Sequence, residues 1–285
     1  MELNELITTI QKIDLKATSK THQKMAGTTT SLFKGRGVVF DSIRKYERGD
    51  DVRNINWNVT ARFNDTFVNT FSEDKVRTIW ILIDCSGSVG FGSKRRIKLD
   101  LEIEIAATLA YSAIRHNDAV GVVFFGDTTK KVIMPLRGMS GFWHIAKALV
   151  DCKPLTGKTD MESSLKFLLN ENCSHSLVFL LSDFKATGYE ESAKILALHN
   201  DFFTIQVQDV LETNFPKLGW IQLKDIESGK QKWVNTTSEN FQKSYDQQHL
   251  EYQNYYNHFL SKYGVSNVTI RTDDEVVEKL ALLLY

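Results

Sequence analysis

From Val76 onward the sequence alternates apolar runs of strand length with amphipathic stretches of helical length, a rhythm that points to a parallel sheet covered on both faces. The run VRTIWILI reads as the first strand. RIKLDLEIEIAATLAYSAIRH follows as a long helix with Ile97, Leu101, Ile105, Leu109 and Ile114 along one face. DAVGVVFFG is the next strand, and KKVIMP, stopped by Pro135, reads as an edge strand. Helices at GFWHIAKALVD and MESSLKFLLN, the strand SLVFLLSD, the helix YEESAKILALHN and the strand DFFTIQVQD continue the alternation. GWIQLKDIESGKQKWVN then breaks it with a hairpin turning near Glu227, Ser228 and Gly229. A long polar helix from about Thr237 to Tyr263, the strand SNVTI and the helix DEVVEKLALLLY close the chain. The expected fold is α/β, a doubly wound, mostly parallel sheet with an N-terminal β-containing extension and an inserted hairpin at about 218–236.

The extension occupies residues 1–75 and the sheet domain residues 76–285. Leu3, Leu6, Ile7, Ile10 and Ile13 recur at helical spacing, so Met1 to about Lys24 reads as an amphipathic helix. MAGTTTSLFKGRG reads as loop, with short strands at GVVF and TFVNTF around an arginine-rich middle.

Charge narrows the function classes. The 35 basic residues cancel the 35 acidic ones, so no global field recruits nucleic acid, and the cluster Lys94, Arg95, Arg96 and Lys98 reads as a solvated helix entrance. Apolar runs such as AVGVVFF fall far short of the roughly 20 residues a membrane span requires. Cys85, Cys152 and Cys173 are far apart in sequence with no C-x-x-C pair, which argues against a disulfide framework and a structural zinc site. A cytoplasmic protein is expected.

Ligands of open α/β sheets bind outside the carboxyl ends of the strands, where the strand order reverses. Asp84, Ser86 and Ser88 follow the first strand, Asp183 follows SLVFLLS, and Thr159 lies in the loop LTGKTD. All five carry small oxygen donors, which suits a hard divalent cation and leaves room for an incoming carboxylate. Cys85 alternates with the donors and should point away from them, so zinc is disfavoured.

The order D-x-S-x-S, threonine, aspartate resembles the metal-ion-dependent adhesion site of von Willebrand factor A domains. That resemblance implies that Ser86, Ser88 and Thr159 contact Mg2+ (or Mn2+ or Ca2+), that Asp84 and Asp183 hold it partly through waters, and that a partner protein donates an acidic residue. The segment FDSIRKYERGDDVRNINWNVTARFNDTFVNTFSED resembles the signature of domain of unknown function family 58, a bacterial branch of A-domain proteins. The matching residues are Arg44, Tyr46, Gly49, Asp50, Asp51, Arg53 and Trp57, then Ala61 and Arg62, and the likeness continues through LGWIQLKDIESGKQKWVNT over nearly the whole chain. Members of this family are typically encoded beside MoxR-type AAA+ ATPases. The resemblance therefore implies an assembly or chaperone-like role, with such an ATPase or its client as the partner.

Plainer readings stand beside these. Thr159 and Glu162 form a capping box for the next helix. Arg44, Asp50, Asp51, Arg53 and Arg62 alternate in sign as an ion network tying the extension to the sheet would require, with Trp57 as a packing anchor. The alternative function is a metal-dependent hydrolase of the phosphoesterase kind. Ser86 does not sit in G-x-S-x-G, no P-loop occurs, and no general base or lysine is evident beside the five donors, so a non-enzymatic binding module is expected.

Overall fold

The computed structural model describes residues 5, 8, 39–63, 65–72, 76–93, 96–155, 157, 159–171, 173–213, 215–224 and 231–284. The chain divides into two units, Phe33–Val76 and Arg77–Tyr285 with Met1–Leu32. Of the expected N-terminal helix only Glu5 and Thr8 are described, and both are helical. The rest of that helix, the loop after it and the hairpin turn at Glu227 to Gly229 lie outside the described residues.

In the smaller unit β1 (Val39–Lys45) pairs antiparallel with β2 (Phe67–Ser72), and the short helix α1 (Trp57–Thr60) lies between them in sequence. The first strand reaches further than GVVF and carries Ser42, Ile43 and Arg44, whose partners are Thr70, Asn69 and Val68. α1 begins on Asn56, whose side chain accepts from Val59 N at 3.1 Å, an N-cap that satisfies one of the orphan donors.

The larger unit is built on a sheet of six strands. In chain order these are β3 (Thr78–Asp84), β4 (Ala119–Phe125), β5 (Thr129–Leu136), β6 (Leu177–Ser182), β7 (Asp201–Gln208) and, after the separate hairpin of β8 (Trp220–Lys224) and β9 (Gln231–Asn235), β10 (Ser266–Arg271). Their spatial order is β10-β7-β6-β3-β4-β5, parallel throughout except for the antiparallel edge strand β5. Pro135 lies inside β5 rather than ending it, which an edge position tolerates because a proline there need not donate to a neighbour on both sides. The helices are α2 (Lys98–Arg115), α3 (Gly138–Val150), α4 (Met161–Asn170), α5 (Glu190–His199), α6 (Val210–Thr213), α7 (Glu239–Tyr263) and α8 (Val276–Leu284). The architecture is the α/β, mostly parallel sheet that the alternation implied.

β3 is buried on both faces, so it reads as a continuous apolar run instead of an alternating one. Trp80 and Leu82 pack into a cluster with Val123, Phe125, Leu165, Leu180, Tyr256 and Phe259, while Ile79, Ile81 and Ile83 point to the opposite face. Each fully buried aliphatic side chain contributes roughly 1.5–3 kcal/mol. The strand is thereby fixed up to its last residue, Asp84. Among the described residues no helix is long and apolar enough to cross a membrane.

Candidate functional site

Strand order reverses on the two sides of β3: the chain proceeds to β4 on one side and later returns to β6 on the other. The crevice between the carboxyl ends of β3 and β6 is therefore the switch point of the sheet. Asp84 closes β3 and Asp183 directly follows β6. Ser182, the last residue of β6, donates its hydroxyl to Asp84 Oδ2 at 2.7 Å across that crevice.

Beyond Asp84 the chain turns at once. Ser86 N donates to Asp84 Oδ1 at 2.8 Å, and a single 3-10 turn over Gly87–Gly90 brings Ser88 back beside Ser86, with their hydroxyl oxygens 3.0 Å apart. Ser88 also lies near the Asp183 carboxylate and favours its ionised form. Asp183 is held by a turn in which Phe184 adopts φ +53°, a left-handed conformation unusual for a non-glycine residue. The Phe184 ring, 4.5 Å from that of Tyr256 and flanked by Tyr189, is buried and locks the turn.

Asp84, Ser86 and Ser88 thus form one hydrogen-bonded group, with Ser88 its half-exposed member, and the Asp183 carboxylate lies beside them, held by Lys98. Thr159 stands on a neighbouring loop that is pinned at both ends, by Leu155 N on Cys85 O at 2.7 Å and Asp160 N on Gly126 O at 2.6 Å. Among the described residues no hydrogen bond joins Thr159 to the other four. The capping box expected at Thr159 is absent: Asp160 is the N-cap of α4, its side chain accepting from Ser163 N at 3.2 Å, and Glu162 instead accepts from Ser192 Oγ at 2.8 Å. Asp160 competes better because its carboxylate lies one residue nearer the first helical amides. The Thr159 hydroxyl is left free of that duty.

Sequence reasoning missed the charges behind this group. Lys98, assigned to a solvated helix entrance, is completely buried, and its Nζ donates to Asp183 Oδ2 at 2.8 Å and to Glu212 Oε1 at 2.7 Å. Lys185 reaches the same Glu212 oxygen at 2.6 Å. Arg96 is tied down as well, to Glu104 and to the carbonyls of Thr272 and Asp274. One turn beyond Lys98, Glu102 accepts from Asp84 N at 3.1 Å, and its other oxygen, Oε1, is buried without a partner. The available signal was the i, i+4 pair Lys98 and Glu102 lying beside Leu101 and Ile105 in the apolar stripe of α2.

These neighbours set opposite protonation preferences. Burial, reinforced by the Asp183 charge, pushes the Asp84 carboxyl up to about 6, and burial with Asp84 and Asp183 nearby pushes Glu102 well above the usual carboxylate range. Burial also opposes ionisation of Asp183, but Lys98 and Lys185 outweigh it and draw its carboxyl down to about 2. Glu212 is lowered in the same way, burial being overcome by the same two lysines. Lys98 itself is desolvated, yet Asp183 and Glu212 hold its ammonium above the ordinary value.

Among the described residues no group of three or more His, Cys, Asp and Glu side chains is arranged to hold a metal ion. The expected donor set contains only two carboxylates, so its fit rests on its oxygens. Magnesium takes near-octahedral ligands at 2.0–2.1 Å, which puts adjacent ligand oxygens about 2.9 Å apart. The Ser86–Ser88 separation of 3.0 Å is compatible with that edge.

In the smaller unit Arg44 grips Asp50 through two bonds, Nη1 to Oδ2 at 2.9 Å and Nη2 to Oδ1 at 2.6 Å. The pair holds the Asp50 carboxyl below its usual range. Asp50 Oδ2 also accepts from Glu47 N, and Asp51 caps the turn Val52–Asn54 by accepting from Arg53 N. Tyr46 N donates to Thr66 O at 2.8 Å, and Arg62 is exposed. Arg44, Asp50, Asp51 and Arg53 therefore shape their own loop. Trp57, expected to be a packing anchor, is 69% exposed, because α1 spans a single turn and has no buried face.

An uncharacterized protein of Mycobacterium tuberculosis is 22% identical over 228 residues, covering 79% of this chain and 72% of its own. Among solved structures, the SpRpn10 VWA domain aligns with a TM-score of 0.42 at 12% identity, covering 72% of this chain and 94% of that domain. Proximal thread matrix protein 1 of the mussel byssus, described with a zinc-occupied MIDAS motif, aligns with a TM-score of 0.44 at 18% identity over 74% of this chain and 48% of its own. The family model for Protein of unknown function DUF58 matches residues 42–255, three quarters of the chain, and the protein belongs to that family.

Proposed function

We propose that the protein is a non-enzymatic interaction module that recognises an acidic side chain of a partner protein through a divalent metal held at the β3/β6 crevice. The observation that carries this reading is the oxygen cluster at the switch point, in which two serine hydroxyls stand 3.0 Å apart between the carboxylates of Asp84 and Asp183. Ser86, Ser88 and Thr159 would hold magnesium, with manganese or calcium as substitutes, and Asp84 and Asp183 would anchor it partly through water. Bound there, the ion supplies an open coordination position to an incoming carboxylate. Ser182 and Ser86 orient Asp84, and Lys98 orients Asp183 from behind. The family resemblance makes a MoxR-type AAA+ ATPase or its client the proposed partner, in the cytoplasm.

The test is recovery of that ATPase on immobilised protein with magnesium and with EDTA, comparing wild type with Asp84→Ala. Equal recovery in all lanes rejects the module. Calorimetric titration with magnesium isolates the first step, and Ser86→Ala with Ser88→Ala should abolish its heat.

Lys98 and Glu102 favour a second reading, since a metal-dependent phosphoesterase would use a lysine and a further carboxylate beside its metal. Lys98 is completely buried with its ammonium between Asp183 and Glu212, which suits a counter-ion better than a group that meets substrate. Phosphate release from generic phosphoesters with magnesium or manganese, lost in Asp183→Ala, would favour the enzyme.

A further inference from the structure

The cysteines, well separated in sequence, are not separated in space. Cys85 Sγ and Cys152 Sγ are 2.7 Å apart, about 0.7 Å beyond a covalent disulfide of about 2.05 Å. Both are free thiols. Cys85 sits between Asp84 and Ser86 with its backbone fixed on both sides, its N–H donating to Phe125 O and its C=O accepting from Leu155 N, each at 2.7 Å. Cys152 follows α3, its N–H bonded to Leu149 O at 3.2 Å, and it is half-buried where Cys85 is fully buried. Two further contacts join the same segments: Leu155 bonds Cys85, and Pro154 lies so close to Gly90 that a Cβ there would stand 3.1 Å from the proline. The sulfurs thus meet where two anchored backbones already touch.

We infer that Cys85 and Cys152 are a reversible dithiol–disulfide pair, a modification site directly behind the Asp84–Ser88 loop that reacts with small disulfides of the glutathione type. Cys152 is the sulfur that reacts first, because it is the more accessible one. The hydrogen bond from Cys85 and the nearby Lys131 charge also hold its thiol below the usual range, against the effect of burial. The Cys152 thiolate attacks one sulfur of glutathione disulfide, forming a mixed disulfide and expelling one glutathione thiolate. The Cys85 proton passes to a departing glutathione thiolate as Cys85 Sγ attacks Cys152 Sγ, and the second glutathione thiolate leaves. Two protein thiols are oxidised and one glutathione disulfide is reduced to two glutathiones. Cys173 packs elsewhere, against the cluster around Trp80, and serves as an internal control.

The test uses the full chain in EDTA, so it does not depend on metal binding and can fail or succeed separately from the proposed function. The protein is equilibrated in glutathione buffers of increasing oxidised fraction, acid-quenched, unfolded, alkylated and mapped by mass spectrometry. A loss of two hydrogens, a linked Cys85–Cys152 peptide, alkylated Cys173 and full reversal by dithiothreitol are expected. Cys173→Ser should leave the link intact, and Cys152→Ser should abolish it while the circular dichroism spectrum stays that of wild type. Should Cys152→Ser not fold, the Cys173→Ser result alone still decides. Alkylation of both Cys85 and Cys152 at every ratio in the folded chain, or a link that includes Cys173, overturns the inference.

Discussion

Replacing Lys98 with methionine isolates the buried charge behind the site. In the wild type the ammonium is completely buried and bonded to Asp183 at 2.8 Å and Glu212 at 2.7 Å. Methionine fills similar space but compensates neither acid. Glu212 keeps Lys185 at 2.6 Å, so the unpaired charge falls on Asp183. Removing one partner of a buried pair costs about 3–5 kcal/mol, a large part of the 5–15 kcal/mol that typically holds a domain folded. Urea unfolding of the protein in EDTA, followed by tryptophan fluorescence, should show that loss as a lower midpoint with an unchanged slope. The double variant Lys98→Met with Asp183→Asn removes the stranded charge and should recover about half of it.

The pH dependence supplies an independent sign. In the wild type the Asp183 carboxyl is held at about 2, below its unfolded value of 3.8, so its stabilisation is present above pH 3.8 and is lost as pH falls toward 2. Without Lys98 burial dominates and the folded carboxyl rises above 3.8. Its contribution is then fully present in acid and is lost as pH rises, so the gap between variant and wild type should close on going from pH 7 to pH 4. A single variant within about 1 kcal/mol of wild type at pH 7, or a gap that widens in acid, refutes the pairing.

Magnesium affinity should weaken as pH falls through about 6, because the folded Asp84 carboxyl takes up its proton there and a protonated acid is a poor ligand; calorimetry at pH 5 and pH 7.5 measures it. Glu102→Gln should change stability by less than about 1 kcal/mol, since the amide resembles the protonated acid that burial favours, and a urea midpoint shift equivalent to more than about 3 kcal/mol would show that the carboxylate is needed ionised. Gly121→Ala should destabilise by about 1–3 kcal/mol in thermal melts, because a Cβ there would lie 2.6 Å from the Trp80 ring in the middle of the sheet.

The fold was legible because burial on both faces of β3, β4 and β6 writes itself as uninterrupted apolar runs, and because helices of compatible length separate them. Asp84, Ser86, Ser88 and Asp183 were legible for a related reason, being polar residues at the abrupt ends of such runs. Lys98 and Glu102 were hidden because a lysine and a glutamate one turn apart look like a solvated helix surface, and only their position beside Leu101 and Ile105 says otherwise. Glu212 could not be read at all. It reaches Lys98 from the chain after β7, at a separation of 114 residues, where spacing carries no information. The same limit hid the Cys85–Cys152 contact, 67 residues apart, and Trp57 misled because an aromatic in a short helix has no periodicity to say which way it faces.

The buried charges also bear on which ion the proposed site would prefer. Asp84, Glu102, Asp183 and Glu212 would carry four negative charges if all were ionised, and Lys98 and Lys185 return two positive ones. Two negative charges remain in a region shielded from water, which is costly to maintain. The upward displacement of Asp84 and Glu102 is the response of the chain alone: the two acids not paired with a lysine are the two that favour protons. A divalent ion matches the same imbalance without protons, whereas a monovalent ion would leave half of it. Potassium or sodium at concentrations that leave magnesium saturating should therefore fail to raise the unfolding midpoint, while magnesium raises it in proportion to RT ln(1 + [Mg2+]/Kd). Equal stabilisation by sodium and magnesium at matched ionic strength would mean that simple screening, not a built site, answers the charge.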